Sequence, residues 1–341
     1  MKSKMKAVIF DAPGHYKVGQ APVPAIQKPT DVLLQVEASS ICGTDVHILE
    51  VPPGHPATVG SILGHEYTGK VLEVGKAVNH LAPGDRVVVD PNITCGRCGP
   101  CREGMHNMCD NMTTLGIFMD GGFAEYNVAP AQQLFPIPME MPPEDAVFCE
   151  PLACVVNGCR RAALQTGERA VVLGAGPIGL LFTQMLKASG AGKVIVAEIS
   201  PFRSKLAKKS GADIVVNPQK DDVAAIVKEE TGGGPEVVVD AVGSLMPQAI
   251  DLVARGGRVL LFGQNSNAKP PITQNLITRK EIAVLGSYIA RHTFPQAVKI
   301  LAGGLLNLKP LVTHRISLDE FDSGLKAMQE GRAVEVIVFP F

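Results

Sequence analysis

The 341-residue sequence contains no long apolar run and no excess of charge of either sign. A membrane-spanning helix needs about 18 uninterrupted apolar residues, so none is expected. Lys and Arg number 32 against 33 Asp and Glu, which gives a formal net charge of −1. A balance of this kind creates no broad attraction to nucleic acid or to acidic lipid. We therefore expect neither nucleic acid nor a membrane as a partner.

Internal repeats, low-complexity tracts and a secretory signal are also missing. Residues 1–13 show no long apolar core and no small-residue cleavage site, which favours the reducing cytoplasm. Hydrophobic residues make up 46% of the chain and charged residues 19%, the composition of a compact globular protein. The length allows two domains of ordinary size.

Two patterns divide the chain. The first 150 or so residues are rich in proline, glycine and short β-branched runs, which is typical of a barrel-like β domain. From about residue 153 to residue 289, short apolar runs alternate with helical segments, which predicts a parallel sheet covered by helices on both faces. Those runs are 170–173, 193–197, 213–216, 236–240, 258–262 and 282–285. Residues 290–341 are too few for a third core, so we expect them to return to the first domain.

Half of the eight cysteines lie close together, as Cys95, Cys98, Cys101 and Cys109. The surrounding segment, residues 90–111, is polar and glycine-rich and buries too little apolar area to fold by itself. Four thiolates at this spacing complete a tetrahedral shell around zinc. The alternative, two disulfides, requires an oxidising compartment. We predict a closed, structural zinc site in this lobe.

A glycine-rich turn, Gly174-Ala175-Gly176-Pro177-Ile178-Gly179, follows the first apolar run of the second domain. The first glycine permits the tight turn, the second lets backbone approach a pyrophosphate, and the third lets helix and strand pack closely. Glu198 follows the next apolar run, 19 residues beyond Gly179. A carboxylate there accepts hydrogen bonds from ribose hydroxyls and repels a 2′-phosphate, so NAD is favoured over NADP. Arg203 nearby would stack on adenine, pair with Glu198 or bind a phosphate.

Further motifs stand in the β-rich part: Cys42-Gly43-Thr44-Asp45-Val46-His47, Gly64-His65-Glu66-Tyr67, the run 120–126 and Glu150-Pro151-Leu152. With the cysteine lobe and the glycine turn in this order, the chain resembles the zinc-dependent medium-chain alcohol and polyol dehydrogenases over essentially its full length. The match is strongest to the sorbitol-dehydrogenase-like branch. The resemblance implies a GroES-like β-barrel catalytic domain of residues 1–152 and 290–341, and a Rossmann NAD-binding domain of residues 153–289.

A second, open zinc site follows from the same motifs. Cys42 supplies a thiolate and His65 an imidazole, and one further protein ligand would leave a position open for substrate. The resemblance implies Glu150 as that ligand, with Cys149 and Cys154 as rivals. For Glu66 two interpretations stand side by side, an auxiliary carboxylate at the metal or a purely structural residue.

The resemblance also assigns roles around that metal and around the cofactor. Asp45 would accept the other N–H of His65, while Thr44 and His47 would carry away the proton of the substrate hydroxyl. Hydride would pass to NAD in a cleft between the domains. Contacts to the cofactor would come, beyond the glycine turn, from Glu198, Arg203, Val242, Phe262, Gly263, Ser287 and Tyr288.

We expect a zinc-dependent oxidoreductase that transfers hydride between a secondary alcohol of a polyol-like substrate and NAD. Ile48 and Ile289 replace a Tyr and an Arg of the sorbitol dehydrogenase pocket, so sorbitol itself is not favoured. The alternative is threonine 3-dehydrogenase-like oxidation of an amino or hydroxy acid, which needs a basic residue for the substrate carboxylate. A zinc-stabilised NAD-binding sensor or structural protein is the non-enzyme alternative, but such a protein is expected to lose Cys42, His65 or Thr44. The resemblance implies a homodimer or a homotetramer.

Overall fold

The computed structural model describes residues 3–341, which form two compact units. The first unit runs up to Pro151 and adds Phe294–Gly304 and Val312–Phe341, so most of the C-terminal part returns to it. The second unit contains Leu152–Thr293 and Leu305–Leu311. The short segment 305–311, assigned by its sequence to the first domain, groups with the second. The buried amide of Gln184 explains this, because it donates to the Asn307 carbonyl at 3.0 Å and accepts from the Asn307 N–H at 2.7 Å.

The N-terminal part of the first unit is built mainly of strands. They are β1 (Lys4–Ala12), β2 (His15–Pro22), β3 (Asp31–Ser40), β4 (Glu66–Val74), β5 (Arg86–Val89), β6 (Asn92–Ile93), β7 (Thr113–Thr114), β8 (Tyr126–Pro130) and β9 (Leu134–Pro136). Short helices interrupt them: α1 (Gly43–Ile48), α2 (Gly99–Arg102) and α3 (Pro143–Ala146).

The second unit alternates strand and helix. In chain order its elements are α4 (Cys149–Ala162), β10 (Arg169–Leu173), α5 (Pro177–Ala188), β11 (Lys193–Ala197), α6 (Pro201–Lys209), β12 (Ile214–Val216), α7 (Val223–Thr231), β13 (Val237–Asp240), α8 (Met246–Leu252), β14 (Arg258–Leu261), α9 (Gln274–Lys280) and β15 (Ala283–Gly286). The chain ends with α10 (Phe294–Ala302), β16 (Val312–Ser317), α11 (Phe321–Gln329) and β17 (Glu335–Phe339). None of the described helices is both long and apolar enough to span a bilayer.

The main sheet of the first unit has the order β16-β17-β3-β4-β5-β9, and β8 also pairs with β3. Its strands pair antiparallel except for β16 and β17. Strand β3 is buried along nearly its whole length because both of its edges are paired and both of its faces are covered. The C-terminal strand β17 therefore lies directly beside β3, nearly 300 residues earlier in the chain.

The sheet of the second unit is entirely parallel, in the order β12-β11-β10-β13-β14-β15. Strands β10, β11 and β13 are almost completely buried, as expected for a parallel sheet with helices on both faces. Their apolar side chains form one hydrophobic cluster with residues of α8. The predicted fold class, a β-rich catalytic domain joined to a doubly wound domain, is confirmed.

Candidate metal centres and nucleotide site

Three predicted metal ligands meet in the first unit. One ligand atom each of Cys42, His65 and Glu66 lies within 4.8 Å of the other two. Cys42 immediately precedes α1, and its N–H donates to the Asp45 carboxylate at 2.9 Å, which ties the start of that helix. His65 and Glu66 stand at the beginning of β4, and both are buried. A thiolate, an imidazole and a carboxylate form a donor set that suits zinc.

The chain before His65 is fixed by glycines of the run 116–122. Gly64 has a φ of +94°, and its carbonyl accepts a hydrogen bond from the N–H of Gly122 at 2.7 Å. A Cβ atom on Gly116 or on Gly121 would lie only 2.2 Å from the Gly64 oxygen. These glycines permit a backbone approach that any larger residue would block. The motif at 120–126 therefore serves to place the two metal ligands that follow Gly64.

Burial and neighbouring acidic groups raise the pKa values of two of the candidate ligands. Burial, and then the Asp45 carboxylate, raise the pKa of the Cys42 thiol to about 12. Burial, and then the neighbouring Cys42, Glu335 and Glu150, raise the pKa of Glu66 well above its usual value. A divalent cation reverses such shifts, because it favours the deprotonated form of each ligand. The donor set therefore fits a metal ion.

Asp45 and His65 form the predicted pair, but without the predicted hydrogen bond. Asp45 Oδ1 and His65 Nδ1 lie 3.7 Å apart, which is an ion-pair distance. Both atoms are buried and have no hydrogen-bond partner among residues 3–341. Burial lowers the pKa of His65, but the nearby negative charge, above all that of Asp45, raises it more, to about 9.

Glu150 lies in the first turn of α4 and is buried. Its charge raises the pKa of Cys42, of His65 and of Glu66, so it is within electrostatic reach of the centre. It is not a member of the close set, in which Glu66 supplies the carboxylate. The rival Cys149 is buried, and burial raises the pKa of its thiol well above the usual value. Ligation by Glu150 stays a prediction.

Two further acids with raised pKa values were missed, the buried Glu335 and the partly buried Asp90. Glu335, the first residue of β17, accepts a short hydrogen bond from Ser40, which pairs across the sheet with Glu66. Burial raises the pKa of Glu335 to about 7, with the Ser40 hydrogen bond opposing and Glu150 adding to it. Asp90 follows β5, and burial likewise raises its pKa to about 7. The available signal was an acid at the end of an otherwise apolar strand, in Glu335-Val-Ile-Val-Phe and Val-Val-Val-Asp90.

The two proposed proton carriers lie on α1. Thr44 Oγ1 is 3.7 Å from Cys42 Sγ, so its hydroxyl is beside the centre. His47, one turn later, has a side chain that is 52% exposed, and its Nδ1 lies 3.0 Å from Glu50. Thr44 therefore stands beside the metal ligands, and His47 stands at the solvent. Ile48 is fully buried in a hydrophobic cluster and presents no surface to solvent.

The four cysteines of the lobe converge as predicted, with their sulfur atoms within 4.8 Å of one another. Cys98 Sγ and Cys109 Sγ are 3.9 Å apart, and all four thiols are unbonded. Backbone N–H groups of Cys95 and Asn111 each donate to Cys109 Sγ at 3.3 Å. Hydrogen bonds from the Arg97 and Cys98 backbone lower the pKa of Cys95 to about 6, in the direction a metal ligand needs. The lobe therefore has the geometry of a zinc site rather than of two disulfides.

The glycine turn of the second unit joins β10 to α5. Gly174 has a φ of +94°, and a Cβ on Gly179 would lie 2.0 Å from the Gly174 oxygen. A Cβ on Gly176 would meet nothing within 4 Å, so the N-terminus of α5 is open to a ligand. Free N–H groups at a helix N-terminus bind phosphate. The turn therefore fits a pyrophosphate.

The Glu198 side chain is hydrogen-bonded to this turn. Its Oε2 accepts from the Ala175 N–H and its Oε1 from the Ser200 N–H, both at 2.7 Å. Each carboxylate oxygen keeps a further acceptor site for a ribose hydroxyl. Among the described residues no ion pair joins Glu198 to Arg203, whose buried Nε has no hydrogen-bond partner there.

The other predicted cofactor residues follow the strands on the opposite side of β10. Val242 and Gly243 come after β13, and both of their N–H groups donate to the Asp240 carboxylate, at 2.9 and 2.8 Å. Phe262 and Gly263 come after β14, and Ser287 and Tyr288 after β15. The Phe262 ring packs edge-on against Phe182 of α5. The carboxyl ends of parallel strands form one edge of the sheet, where nucleotides bind.

Two family descriptions match the chain. "Alcohol dehydrogenase GroES-like domain" covers residues 28–139, and "Zinc-binding dehydrogenase" covers residues 177–303. L-threonine 3-dehydrogenase of Thermococcus kodakarensis is 38% identical, over 100% of this chain and 99% of that protein. Sorbitol dehydrogenase of Bacillus subtilis is 32% identical, over 98% of this chain and 97% of that protein.

Solved structures are similar over the same length. A Sinorhizobium meliloti protein described as a zinc-binding dehydrogenase, with NADP bound, superposes with a TM-score of 0.94 at 36% identity, covering 99% of this chain and 100% of that one. The 2R,3R-butanediol dehydrogenase of Bacillus subtilis gives a TM-score of 0.91 at 33% identity, with 99% and 100% covered.

Proposed function

Because the chain belongs to the zinc-dependent medium-chain alcohol and polyol dehydrogenase family, we propose that it oxidises the secondary hydroxyl of a short 2-amino-3-hydroxy acid such as L-threonine, with NAD as acceptor. The family makes the chain a zinc-dependent, NAD(P)-linked dehydrogenase. The observation that carries the proposal is the close set of the half-buried Cys42 and the buried His65 and Glu66. A sensor or structural protein has no use for such a centre.

The residues of α1 support the proton transfer. When bound at the close set, zinc supplies a Lewis acid that lowers the pKa of a substrate hydroxyl, and NAD supplies the hydride acceptor. We propose that the Thr44 hydroxyl accepts the substrate proton as it gives up its own, since it lies beside Cys42. His47 would pass the released proton to solvent, since its ring is half exposed and is oriented by Glu50. The Asp45 charge beside Nδ1 would orient His65 and leave Nε2 for a metal ion.

The proposed substrate follows from the relatives. Proteins named L-threonine 3-dehydrogenase are 33–38% identical over 92% or more of this chain, compared with 32% for the sorbitol dehydrogenase.

A second candidate is a vicinal diol or polyol. The resemblance to sorbitol dehydrogenase and to 2R,3R-butanediol dehydrogenase favours it, as does a carboxylate at the metal centre, which can engage a second hydroxyl. Both candidates share a secondary alcohol with a polar group on the next carbon.

A comparison of rates of NADH formation tests the substrate. We expect kcat/KM for L-threonine to exceed that for sorbitol, xylitol and 2R,3R-butanediol by at least about tenfold. Preference for a polyol would overturn the L-threonine proposal.

The preference for NAD is proposed from Glu198, whose buried carboxylate would repel a 2′-phosphate. The ratio of kcat/KM for NAD and NADP tests it, and Glu198→Gln should move that ratio toward NADP. A wild-type preference for NADP would contradict this assignment.

We also propose a homodimer or homotetramer in the cytoplasm. Strand β15 forms the edge of its sheet and is only partly buried, which suits pairing with a second copy. Light scattering on the purified protein distinguishes one, two and four chains.

A further inference from the structure

The segment Ser287–Thr293, which follows β15, contains two unusual backbone conformations. Ile289 has a φ of +38° and His292 a φ of +51°, and neither residue is glycine. A β-branched residue in the left-handed region clashes with its own backbone, so it persists only where the surroundings enforce it. Strained residues of this kind cluster at ligand sites.

The surroundings that enforce this conformation come from α4. The Asn157 amide donates to the Ile289 carbonyl at 2.7 Å, and to the Tyr288 carbonyl and the Ser287 hydroxyl at 3.4 Å. At the other end of the segment, Thr293 Oγ1 donates to the Ala153 carbonyl at 2.6 Å. Asn157 and Thr293 are both buried. Residues 153 and 157 lie one turn apart on the same face of α4, so one helix face holds both ends of the segment.

The sheet order indicates what this segment faces. The glycine turn after β10 fits the pyrophosphate, and Glu198 after β11 fits the ribose of the adenosine half. Strand β11 lies on one side of β10, while β13, β14 and β15 lie on the other. A dinucleotide that crosses the carboxyl edge of this sheet must therefore place its nicotinamide half on the β13 to β15 side.

We propose that Asn157 is a positioning residue that, together with Thr293, holds the segment Ser287–Thr293 in the strained conformation that receives the nicotinamide half of the cofactor. This inference rests on the dinucleotide-dependent function described above, but not on which alcohol is oxidised. The buried Asn157 amide is directed at the Ile289 and Tyr288 carbonyls, so in this proposal it acts through the backbone of the segment.

The test compares two ligands that differ at one end. Asn157→Ala removes the side-chain amide. Asn157→Asp keeps the shape of the side chain but places a carboxylate oxygen, which cannot donate, against the backbone carbonyls of the segment. We expect both variants to weaken NADH binding about tenfold, because a pre-organised segment would have to be ordered anew. ADP-ribose, which lacks nicotinamide, should bind each variant as tightly as it binds the wild type. Calorimetry measures the affinities for NADH and for ADP-ribose without any alcohol present, and NADH fluorescence measures them with ADP-ribose as the competitor.

Gln184→Ala is the matched control. The Gln184 amide also pins a loop of the second unit, at Asn307, but lies two turns into α5 from the glycine turn. The Gln184→Ala variant should lower the Tm by about as much as the Asn157 variants do and leave the NADH affinity unchanged. If the Asn157 variants lose stability as Gln184→Ala does but bind NADH normally, or if they lose ADP-ribose and NADH affinity equally, Asn157 is merely structural and the proposal is overturned.

A double-mutant cycle tests the role of strain. Glycine adopts a positive φ without any hydrogen bond to enforce it. In an Ile289→Gly background, Asn157→Ala should therefore reduce the NADH affinity less than it does in the wild-type background. Equal costs in the two backgrounds would show that Asn157 does not act through the Ile289 conformation. Failure of L-threonine turnover in the wild type would refute the proposed substrate and leave these binding results interpretable.

Discussion

Asp45 Oδ1 and His65 Nδ1 face each other at 3.7 Å in the interior of the first unit. Neither atom has another hydrogen-bond partner in residues 3–341, so each depends on the other for compensation. A buried carboxylate is costly unless it is paired, and the second oxygen of Asp45 accepts from the Cys42 N–H. We expect this arrangement to hold the imidazole of His65 at the proposed metal centre.

Replacing Asp45 by Asn should weaken zinc binding at the open centre by about tenfold or more, since supports of a metal-bound histidine contribute that much. Competition with a chelator measures the affinity. The exposed Asp319, which pairs with Lys6 at the surface, provides Asp319→Asn as the control. Equal zinc affinities of the Asp45→Asn variant and the wild type would contradict a supporting role of Asp45.

Zinc loading of the open centre should strengthen as pH rises. In the metal-free protein the pKa of His65 is raised to about 9 and that of Cys42 to about 12, so both carry protons at neutral pH. Zinc must displace those protons, and each displaced proton changes the apparent affinity about tenfold per pH unit. We expect affinity to rise with pH across neutrality, and less steeply above about pH 9, where His65 is deprotonated and only the Cys42 proton remains to be displaced. Calorimetry in different buffers detects the proton release. An affinity independent of pH across neutrality would contradict this prediction.

Mutations should remove the two proposed zinc ions independently of each other. Cys42→Ala should remove turnover and one zinc per chain while NADH binding stays near normal, because Cys42 belongs to the open set. Cys95→Ser should remove the other zinc and mainly lower stability, since the four-cysteine lobe has little else to hold it. Metal analysis beside a thermal melt distinguishes the two. Loss of both zincs in either variant would mean that the centres are not independent.

Local motifs predicted the fold well because its characteristic patterns occur in short stretches of sequence. Most of the candidate ligands that these motifs name lie close together in the structure. The turn from Gly174 to Gly179 and the cysteine lobe need only neighbouring residues to be recognised. Contacts between distant strands could not be read in this way. Glu335 reaches Ser40 only through the pairing of β17 with β3, and no local pattern reports that pairing.

The close approach of two loops at Gly121 should be intolerant of a side chain. A Cβ there would lie 2.2 Å from the Gly64 carbonyl oxygen, directly before the ligands His65 and Glu66. We expect Gly121→Ala to destabilise the protein by about 3 kcal/mol and to reduce zinc occupancy of the open centre. Gly19→Ala is the matched control, because a Cβ at Gly19 meets nothing within 4 Å. Unfolding curves and metal content for both variants check the prediction, which fails if the two behave alike.

A surface ion pair of the second unit predicts acid sensitivity. Glu236 forms an ion pair with Arg169, and the Arg169 hydrogen bond holds the pKa of Glu236 at about 2, below its ordinary 4.5. A carboxyl with a depressed folded pKa contributes its stability above the unfolded pKa and loses it as pH falls toward the folded value. Both side chains are about one-third exposed, so solvent reduces the contribution to about 1 kcal/mol at neutral pH.

Glu236→Gln should therefore be less stable than wild type by about that amount near pH 7, and the difference should shrink as pH falls from 4.5 toward 2. Urea unfolding at several pH values measures it, with the exposed Glu229 of α7 supplying Glu229→Gln as a control that should track the wild type. A difference that stays constant down to pH 3 or so would show that the pair stabilises the fold by packing and not by charge.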